Sequence, residues 1–320
     1  MPLIPSTYQK PYFYFNAHIE TIIPAVFRVV SGVNYQRKRL ILEDNDFLDL
    51  DYLEGDNRLV IISHGLEGST YKGYIKGMAK YFHQKGYSVL AWNHRSCSGE
   101  LNNLPRFYHS GATEDLRAVI QHVINEKKYT SIDLIGFSLG GNMTLKYLGE
   151  EGKNINAMIG KACVFSVPLH LSTCSKSLSK KSNWIYSAKF KRTLFKKVKA
   201  KSKKFPQEIN PEHIKKIKTL FDFDNYYTAP LHNFEDAEDY YQKSSSLNWI
   251  DKIEIPTLIV NALNDPFLGS ACFPYQLAEK LDKVYFEFPD TGGHYCGFSN
   301  GENGIYWSEK RAGSFLENEN

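Results

Sequence analysis

One serine in this chain is flanked by glycines two positions away on each side. The stretch is "IDLIGFSLGGN", residues 132–142, and it places Ser138 between Gly136 and Gly140. An apolar run precedes this serine and a helical pattern follows it, which is the setting of a nucleophile elbow. Such a turn leaves no room for side chains at the two glycines, and it sets the hydroxyl at a helix N-terminus, where negative charge is stabilised. The alternative interpretation is a serine that only caps the helix.

A serine hydroxyl attacks a carbonyl only when a base removes its proton, so a histidine and an orienting acid are required. In a fold with a nucleophile elbow, the expected order along the chain is serine, acid and histidine, each after a strand. Asp265 in "NALNDPF" and His294 in "PDTGGHYCGF" both follow short apolar runs and fit this order. Asp290 is the rival acid, but it lies just before His294 and is more typical of a turn. We therefore predict a triad of Ser138, Asp265 and His294.

Backbone N–H groups near the serine must stabilise the oxyanion that forms during the attack. The N–H of Leu139, directly after Ser138, is the first candidate. The upstream loop "HGLEG" supplies the second, because Gly65 lets the chain turn and Leu66 then presents its N–H. His64 in the same loop is expected to brace it by a hydrogen bond and not to act as a base.

The elements around these residues alternate between buried strands and helices. Six short apolar runs suit strands buried on both faces, as in a parallel sheet, and an alternating stretch at 39–53 suits an antiparallel hairpin. Together they predict a mostly parallel sheet of eight strands with helices on both faces. The six runs are 58–65, 87–94, 131–138, 157–167, 256–263 and 283–288, and the helical patterns lie at 72–85, 113–127, 139–149 and 272–281.

The alternation stops between about residues 168 and 245, which we predict to be a helical insertion. The α/β core then has two parts, 1–167 with an N-terminal extension at 1–38, and 246–320. Residues 176–204 carry twelve Lys or Arg and no acidic residue. Apolar side chains are interleaved with these charges, and we interpret them as the underside of a lid over an apolar pocket: Trp184, Tyr186, Phe190, Leu194 and Phe195.

The basic run 176–204 has two interpretations. It can make peripheral contact with anionic lipid or bind a phosphorylated acyl carrier, because clustered positive charge attracts both. Alternatively, it is only the solvated face of a helix. Nucleic acid is not an expected partner, since no recognition motif accompanies the charge.

Bulk composition excludes several other classes of protein. The chain has 320 residues, of which 42% are hydrophobic and 23% charged, with a small net charge of +4. These are ordinary values for a globular protein. Five scattered cysteines without a C-x-x-C pair predict neither a disulfide framework nor a metal site. No apolar run approaches about 18 residues and the N-terminus lacks a signal-peptide pattern, so we expect a cytoplasmic protein.

Several motifs together resemble the YheT-like branch of the α/β-hydrolases, serine esterases and lipases that act on acyl esters. The resemblance covers almost the whole chain and rests on "FNAHIETIIP" (15–24), "HGLEGS" (64–69), "HRSCSGELN" (94–102), "YHSGATEDL" (108–116), "TAPLHNFEDAEDYY" (228–241), "NDPF" (264–267) and "GGH" (292–294). It implies an α/β-hydrolase fold with an inserted helical lid, and it implies the roles of nucleophile, acid and base for Ser138, Asp265 and His294. One departure is "GGHYCGF", which has one residue more after His294 than the G-G-H-x-G-F of the branch. That residue predicts a shifted loop around the imidazole.

The residues and the resemblance together predict a serine carboxylesterase that hydrolyses short- to medium-chain acyl esters through an acyl-enzyme. The expected partner is a small-molecule acyl ester, with no metal and no organic cofactor. A first alternative is an acyltransferase that uses the same triad and passes the acyl group to an alcohol. A second alternative is a non-catalytic acyl-ligand-binding protein, in which a displaced His294 loop has disabled the triad.

Overall fold

The centre of the molecule is one mixed but mostly parallel sheet. The computed structural model describes residues 2–295 and 304–317, and within them the strand order is β1-β9-β8-β7-β6-β4-β5-β3-β2. β3 lies antiparallel to β2 and β5, and the other neighbouring strands are parallel. The strands are β1 (Leu3–Ile4), β2 (Gln36–Ile41), β3 (Phe47–Leu53), β4 (Arg58–Ser63), β5 (Ser88–Asn93), β6 (Ser131–Phe137), β7 (Ile159–Phe165), β8 (Thr257–Val260) and β9 (Val284–Glu287).

The sheet differs in one respect from the eight strands predicted. The additional strand is β1, which pairs Leu3 with Phe286 and Ile4 with Glu287 at the edge of the sheet. A two-residue strand shows neither alternation nor an apolar run, so a pattern in the sequence cannot reveal it.

Helices cover both faces of the sheet, as predicted. They are α1 (Ala17–Phe27), α2 (Gly73–Gln84), α3 (Thr113–Asn125), α4 (Leu139–Glu151), α5 (Leu171–Leu178), α6 (Trp184–Lys204), α7 (Leu220–Phe223), α8 (Ala229–Leu231), α9 (Ala237–Ser244), α10 (Tyr275–Ala278) and α11 (Trp307–Glu317). The helix predicted at 272–281 is wrong in length, since only α10 forms there. Pro274 directly precedes α10, and a proline disfavours helical backbone in the residue before it.

Alternate residues of the central strands enter two separate hydrophobic cores. On β4, Leu59 and Ile61 pack in the core that includes side chains of α3 and α4. Val60 and Ile62 pack in the core that includes side chains of α2 and α11. Because both faces are covered, this strand is apolar throughout, which explains its continuous apolar run in the sequence.

Between β7 and β8 the chain forms α5 to α9, with a π-helical turn, Asp224–Thr228, after α7. Part of this region has a hydrophobic cluster of its own, built mainly from α6, α7 and the turns around them. Two lysines attach α6 to core loops. Lys197 forms a buried ion pair of 2.7 Å with Glu67, and Lys201 donates to the carbonyl oxygen of Leu104 at 2.5 Å.

Candidate active site

Ser138 lies at the sharp turn between β6 and α4. Its backbone angles, φ 52° and ψ −119°, are strained for a residue with a side chain, and such strain is concentrated at functional sites. A Cβ atom at Gly136 would lie 2.6 Å from the Gly141 Cα, and one at Gly140 would lie 2.5 Å from the His64 carbonyl oxygen. Ser138 makes no capping hydrogen bond through its hydroxyl, so the geometry does not favour the helix-cap interpretation.

The structure brings Ser138, His294 and Asp265 into one chain of hydrogen bonds. The His294 Nε2 lies 3.0 Å from the Ser138 Oγ, and its Nδ1 lies 2.8 Å from an Asp265 carboxylate oxygen. Because the Asp265 carboxylate accepts a hydrogen bond from the Nδ1–H, Nε2 carries the lone pair that accepts from the serine hydroxyl. The other Asp265 oxygen accepts from the Phe267 N–H at 2.9 Å, while the rival Asp290 is exposed.

Side chains of α1 form hydrogen bonds with the loop that carries His294. The Glu20 carboxylate, fully buried, accepts from the Gly292 N–H at 2.5 Å. The Thr21 hydroxyl accepts from the His294 N–H at 3.0 Å and donates to the Ala17 carbonyl at 2.7 Å. These contacts keep the imidazole on Ser138 although the motif carries an additional residue. Sequence reasoning noticed the segment 15–24 but had no signal for this contact.

The remainder of the "GGHYCGF" motif, residues 296–298, lies outside the described residues. The shift predicted for this loop therefore stays a prediction, and of the residues from His294 onward in the motif the structure describes only His294 and Tyr295. Tyr295 adopts a positive φ of 87°, and its ring stacks on Tyr74 with 4.7 Å between centroids. Tyr74 in turn accepts from the Gly65 N–H at 3.0 Å, which links the histidine loop to the loop after β4.

Two backbone N–H groups face the space beside Ser138. Leu139 is the first residue of α4, so its N–H has no acceptor within the helix. Within the described residues the Leu66 N–H also has no hydrogen-bond acceptor, and both leucines line the same cavity as Ser138. A Cβ at Gly65 would lie 3.1 Å from the Ser138 Cβ, so a larger residue there would crowd Ser138.

His64 braces the loop after β4, as expected. Its Nε2 accepts from the His94 N–H at 3.2 Å, which leaves the proton on Nδ1 to donate to the Gly65 carbonyl at 2.8 Å. Burial, followed by the nearby His94, lowers the pKa of His64 well below its usual value. A neutral, fully bonded imidazole of this kind is a structural group and not a base.

The cavity above Ser138 has a volume of about 980 Å³, including the space open to solvent. Much of its apolar wall comes from the insertion, which contributes Leu171, Leu178, Phe190, Leu194, Leu220 and Phe223. Of the apolar side chains predicted to lie under a lid, Phe190 and Leu194 line the cavity, and Tyr186 packs on Phe267, which stacks on His294. Trp184 contradicts that prediction, since it is 67% exposed at the first turn of α6 and points outward.

The opposite part of the cavity is polar and contains a carboxylate. Asp224 accepts from the hydroxyls of Thr228 and Tyr241, both at 2.6 Å. Burial raises the pKa of Asp224 to about 6, because the charged form is poorly solvated there. The cavity is therefore amphipathic and does not resemble a uniform hydrocarbon tunnel.

Metal-ligating clusters and helices able to span a membrane are both absent from the described part of the chain. Within residues 2–295 and 304–317, no three His, Cys, Asp or Glu side chains are grouped so that they could hold a metal ion. In the same ranges, no helix has both the length and the apolar character needed to cross a bilayer.

Comparisons with known proteins agree with this architecture. Residues 58–300 match the family of the alpha/beta hydrolase fold. The candidate esterase YheT of Escherichia coli (strain K12) is 31% identical over 311 residues, which covers 94% of this chain and 90% of YheT. The human phospholipase ABHD3 is 27% identical over 311 residues, covering 94% of this chain and 75% of that protein. The chain therefore belongs to the α/β-hydrolase family, in its YheT-like branch.

Two further proteins resemble this chain. The medium-chain fatty acid ethyl ester synthase/esterase 2 of Saccharomyces cerevisiae is 28% identical over 306 residues, covering 88% of this chain and 66% of the yeast protein. The solved structure of the Pyrococcus furiosus esterase Pf2001 shares the fold, with a TM-score of 0.58 and 17% identity, covering 91% of this chain and 95% of the other. The predicted fold class is thus confirmed, and the protein is a hydrolase of the esterase and lipase type.

Proposed function

We propose that this protein is a serine carboxylesterase that hydrolyses short- to medium-chain acyl esters. The observation that carries the proposal is the hydrogen-bonded chain from Ser138 through His294 to Asp265, which opens on a largely apolar cavity. An intact arrangement of this kind works against the alternative of a binding protein with a disabled triad. It is the arrangement that activates a serine hydroxyl in acyl transfer.

The mechanism has two steps. In the first, the Ser138 Oγ attacks the ester carbonyl while the His294 Nε2 takes its proton, and Asp265 stabilises the imidazolium through Nδ1. The tetrahedral oxyanion is stabilised by the N–H groups of Leu66 and Leu139. It collapses as His294 gives the proton to the departing alcohol, which leaves an acyl-serine. In the second step His294 deprotonates a water, the water displaces the acyl group, and a carboxylic acid leaves as Ser138 regains its proton.

The size of the cavity supports the preference for short to medium acyl chains. Its volume of about 980 Å³ includes space open to solvent, so the enclosed part is smaller. Small-molecule pockets span about 300–1,000 Å³. Phe190 and Phe223 line the cavity, and the carboxylate of Asp224, which also lines it, disfavours contact with a long hydrocarbon chain.

The test combines a covalent probe with a series of substrates. A fluorophosphonate should label the folded wild type and the control Ser172→Ala, in which another buried serine is removed, but not Ser138→Ala. With p-nitrophenyl esters of graded length, kcat/KM should be highest for short and medium chains and should fall by a factor of about 10³ or more in Ser138→Ala.

If the folded wild type did not react with the fluorophosphonate, the proposal that this protein is a serine hydrolase would be refuted. Preference for the longest ester would refute only the proposed chain length. The same assay with added ethanol distinguishes the acceptor: formation of an ethyl ester in preference to the free acid would show acyl transfer to an alcohol and overturn the hydrolase proposal.

A further inference from the structure

The first helix has its polar and apolar sides reversed relative to an ordinary surface helix. The face of α1 that packs on the protein contains Glu20, Thr21 and Pro24, all buried. On the opposite side, apolar residues at helical spacing are partly or fully exposed: Ile19, Ile22, Ile23 and Val26. A soluble protein normally turns such an apolar stripe inward, so an outward stripe indicates that something covers it.

Further apolar side chains border this stripe. Phe15, just before α1, is 74% exposed, and Trp184, at the start of α6, is 67% exposed. The two helices meet here, because the His18 Nδ1 lies 3.1 Å from the Tyr186 hydroxyl and the two rings stack. We call this set, Phe15, Ile19, Ile22, Ile23, Val26, Trp184 and Ile185, the apolar rim.

The apolar rim is bordered by positive charge. Lys181 begins the 3₁₀ turn that ends just before Trp184, Lys180 precedes that turn, and Lys189 lies five residues after Trp184 on α6. These three ammonium groups are exposed, and none makes an ion pair within the described residues. Lys72 adds a further positive charge close to Lys189.

The apolar rim lies close to the candidate active site. From His18 on α1, ring contacts run through Tyr186 and Phe267 to His294, with 5.7, 4.7 and 4.2 Å between successive centroids. The apolar rim therefore borders the series of ring contacts that leads to His294.

We propose that the apolar rim, together with Lys180, Lys181 and Lys189, seats the protein on the surface of an anionic phospholipid bilayer. Exposed aromatic and aliphatic side chains on one side of a helix insert at the level of the headgroups, and neighbouring lysines attract anionic lipid. A second copy of this chain fits less well, since two such basic surfaces repel each other. The proposal goes beyond the proposed function, because binding to lipid does not require the triad.

The test measures binding of the full chain to vesicles by sedimentation and by fluorescence. Vesicles of phosphatidylcholine with phosphatidylglycerol should bind the protein at least tenfold more tightly than vesicles of phosphatidylcholine alone. Trp184 reports insertion by a shift of its emission to shorter wavelength. Trp184→Phe should bind but lose most of that shift, because the other tryptophans, Trp92, Trp249 and Trp307, are buried or partly buried.

Matched substitutions separate the surface from general effects on folding. Val26→Glu should weaken binding at least tenfold, whereas Ile41→Glu, at an equally exposed apolar residue on β2, should leave it unchanged. Lys181→Glu should weaken binding by roughly fivefold or more, since one lysine near an anionic surface contributes about that factor, whereas Lys280→Glu should not. Melting curves show that each variant is folded.

Equal binding by Val26→Glu and the wild type would overturn the proposal, and so would equal affinity for charged and uncharged vesicles. A concentration-dependent dimer that Val26→Glu abolishes, without vesicle binding by the wild type, would show that a second copy covers the rim. Ser138→Ala should bind vesicles like the wild type, so loss of esterase activity and loss of membrane binding are scored independently.

Discussion

Thr21 offers a sharp test of how the candidate active site is held together. It lies on α1, far from the triad in sequence, and its hydroxyl accepts the backbone N–H of His294 at 3.0 Å. Thr21→Val keeps the shape of the side chain and removes this acceptor. The His294 N–H is then left buried without a partner, which costs about 1–3 kcal/mol.

Relief of that cost requires the His294 loop to move, and the imidazole moves with it. If the whole penalty appears in the barrier to reaction, kcat falls by about 5- to 150-fold. KM for a small p-nitrophenyl ester should change little, because Thr21 does not line the cavity. The rate of labelling by a fluorophosphonate should fall in parallel with kcat.

Two companion variants make the measurement decisive. Thr21→Ser restores an acceptor and should recover most of the activity. Thr193→Val removes a comparable hydroxyl from α6, where the Thr193 side chain bonds only to helix carbonyls, and should leave kcat unchanged. If Thr21→Val lowered the melting temperature but kept the kcat of the wild type, α1 would stabilise the fold without positioning His294, and the reasoning would be refuted.

Two other predictions follow from the cavity and the elbow. Gly140→Ala places a Cβ atom 2.5 Å from the His64 carbonyl oxygen, so α4 must shift. We expect the free energy of unfolding to fall by about 1–3 kcal/mol and kcat to fall at least tenfold. A fully active variant would contradict the close approach. Because burial raises the pKa of Asp224 to about 6 from 3.8, its favourable contribution is present below pH 3.8 and is lost as pH rises through 6. Urea unfolding should therefore show that the free energy of unfolding of the wild type, minus that of Asp224→Asn, falls by up to about 3 kcal/mol between pH 4 and pH 7. If the free energies of the two proteins changed in parallel with pH, this prediction would be refuted.

Local patterns in the sequence were sufficient to predict the strand before Ser138 and the helix after it. The turn at Ser138 is made by five consecutive residues, and steric exclusion at Gly136 and Gly140 acts over the same short distance. The apolar runs of the central strands are likewise local, because both faces of the sheet are covered. The choice of Asp265 over Asp290 depended on where a strand ends, which the runs also indicate.

Other features depend on contacts between distant parts of the chain. Thr21 meets His294 across 273 residues, and no spacing in the sequence predicts that contact. Trp184 was assigned to the underside of a lid from composition alone, yet the direction of a side chain on a helix depends on what packs beside it, and here it points outward. The sequence also does not predict that the apolar stripe of α1 faces outward, because that direction depends on what packs beside the helix.

The sequence by itself therefore determined the alternation of strands and helices, the elbow at Ser138 and the order of the predicted triad. These depend on backbone sterics and on the periodicity of apolar residues, which act within a few positions. Only the tertiary structure decided that α1 supports the His294 loop with Glu20 and Thr21, that Asp224 makes part of the cavity polar, and that an apolar rim faces outward near the ring contacts that lead to His294. Those features arise from packing between segments far apart in the chain, and packing is a property of the whole fold.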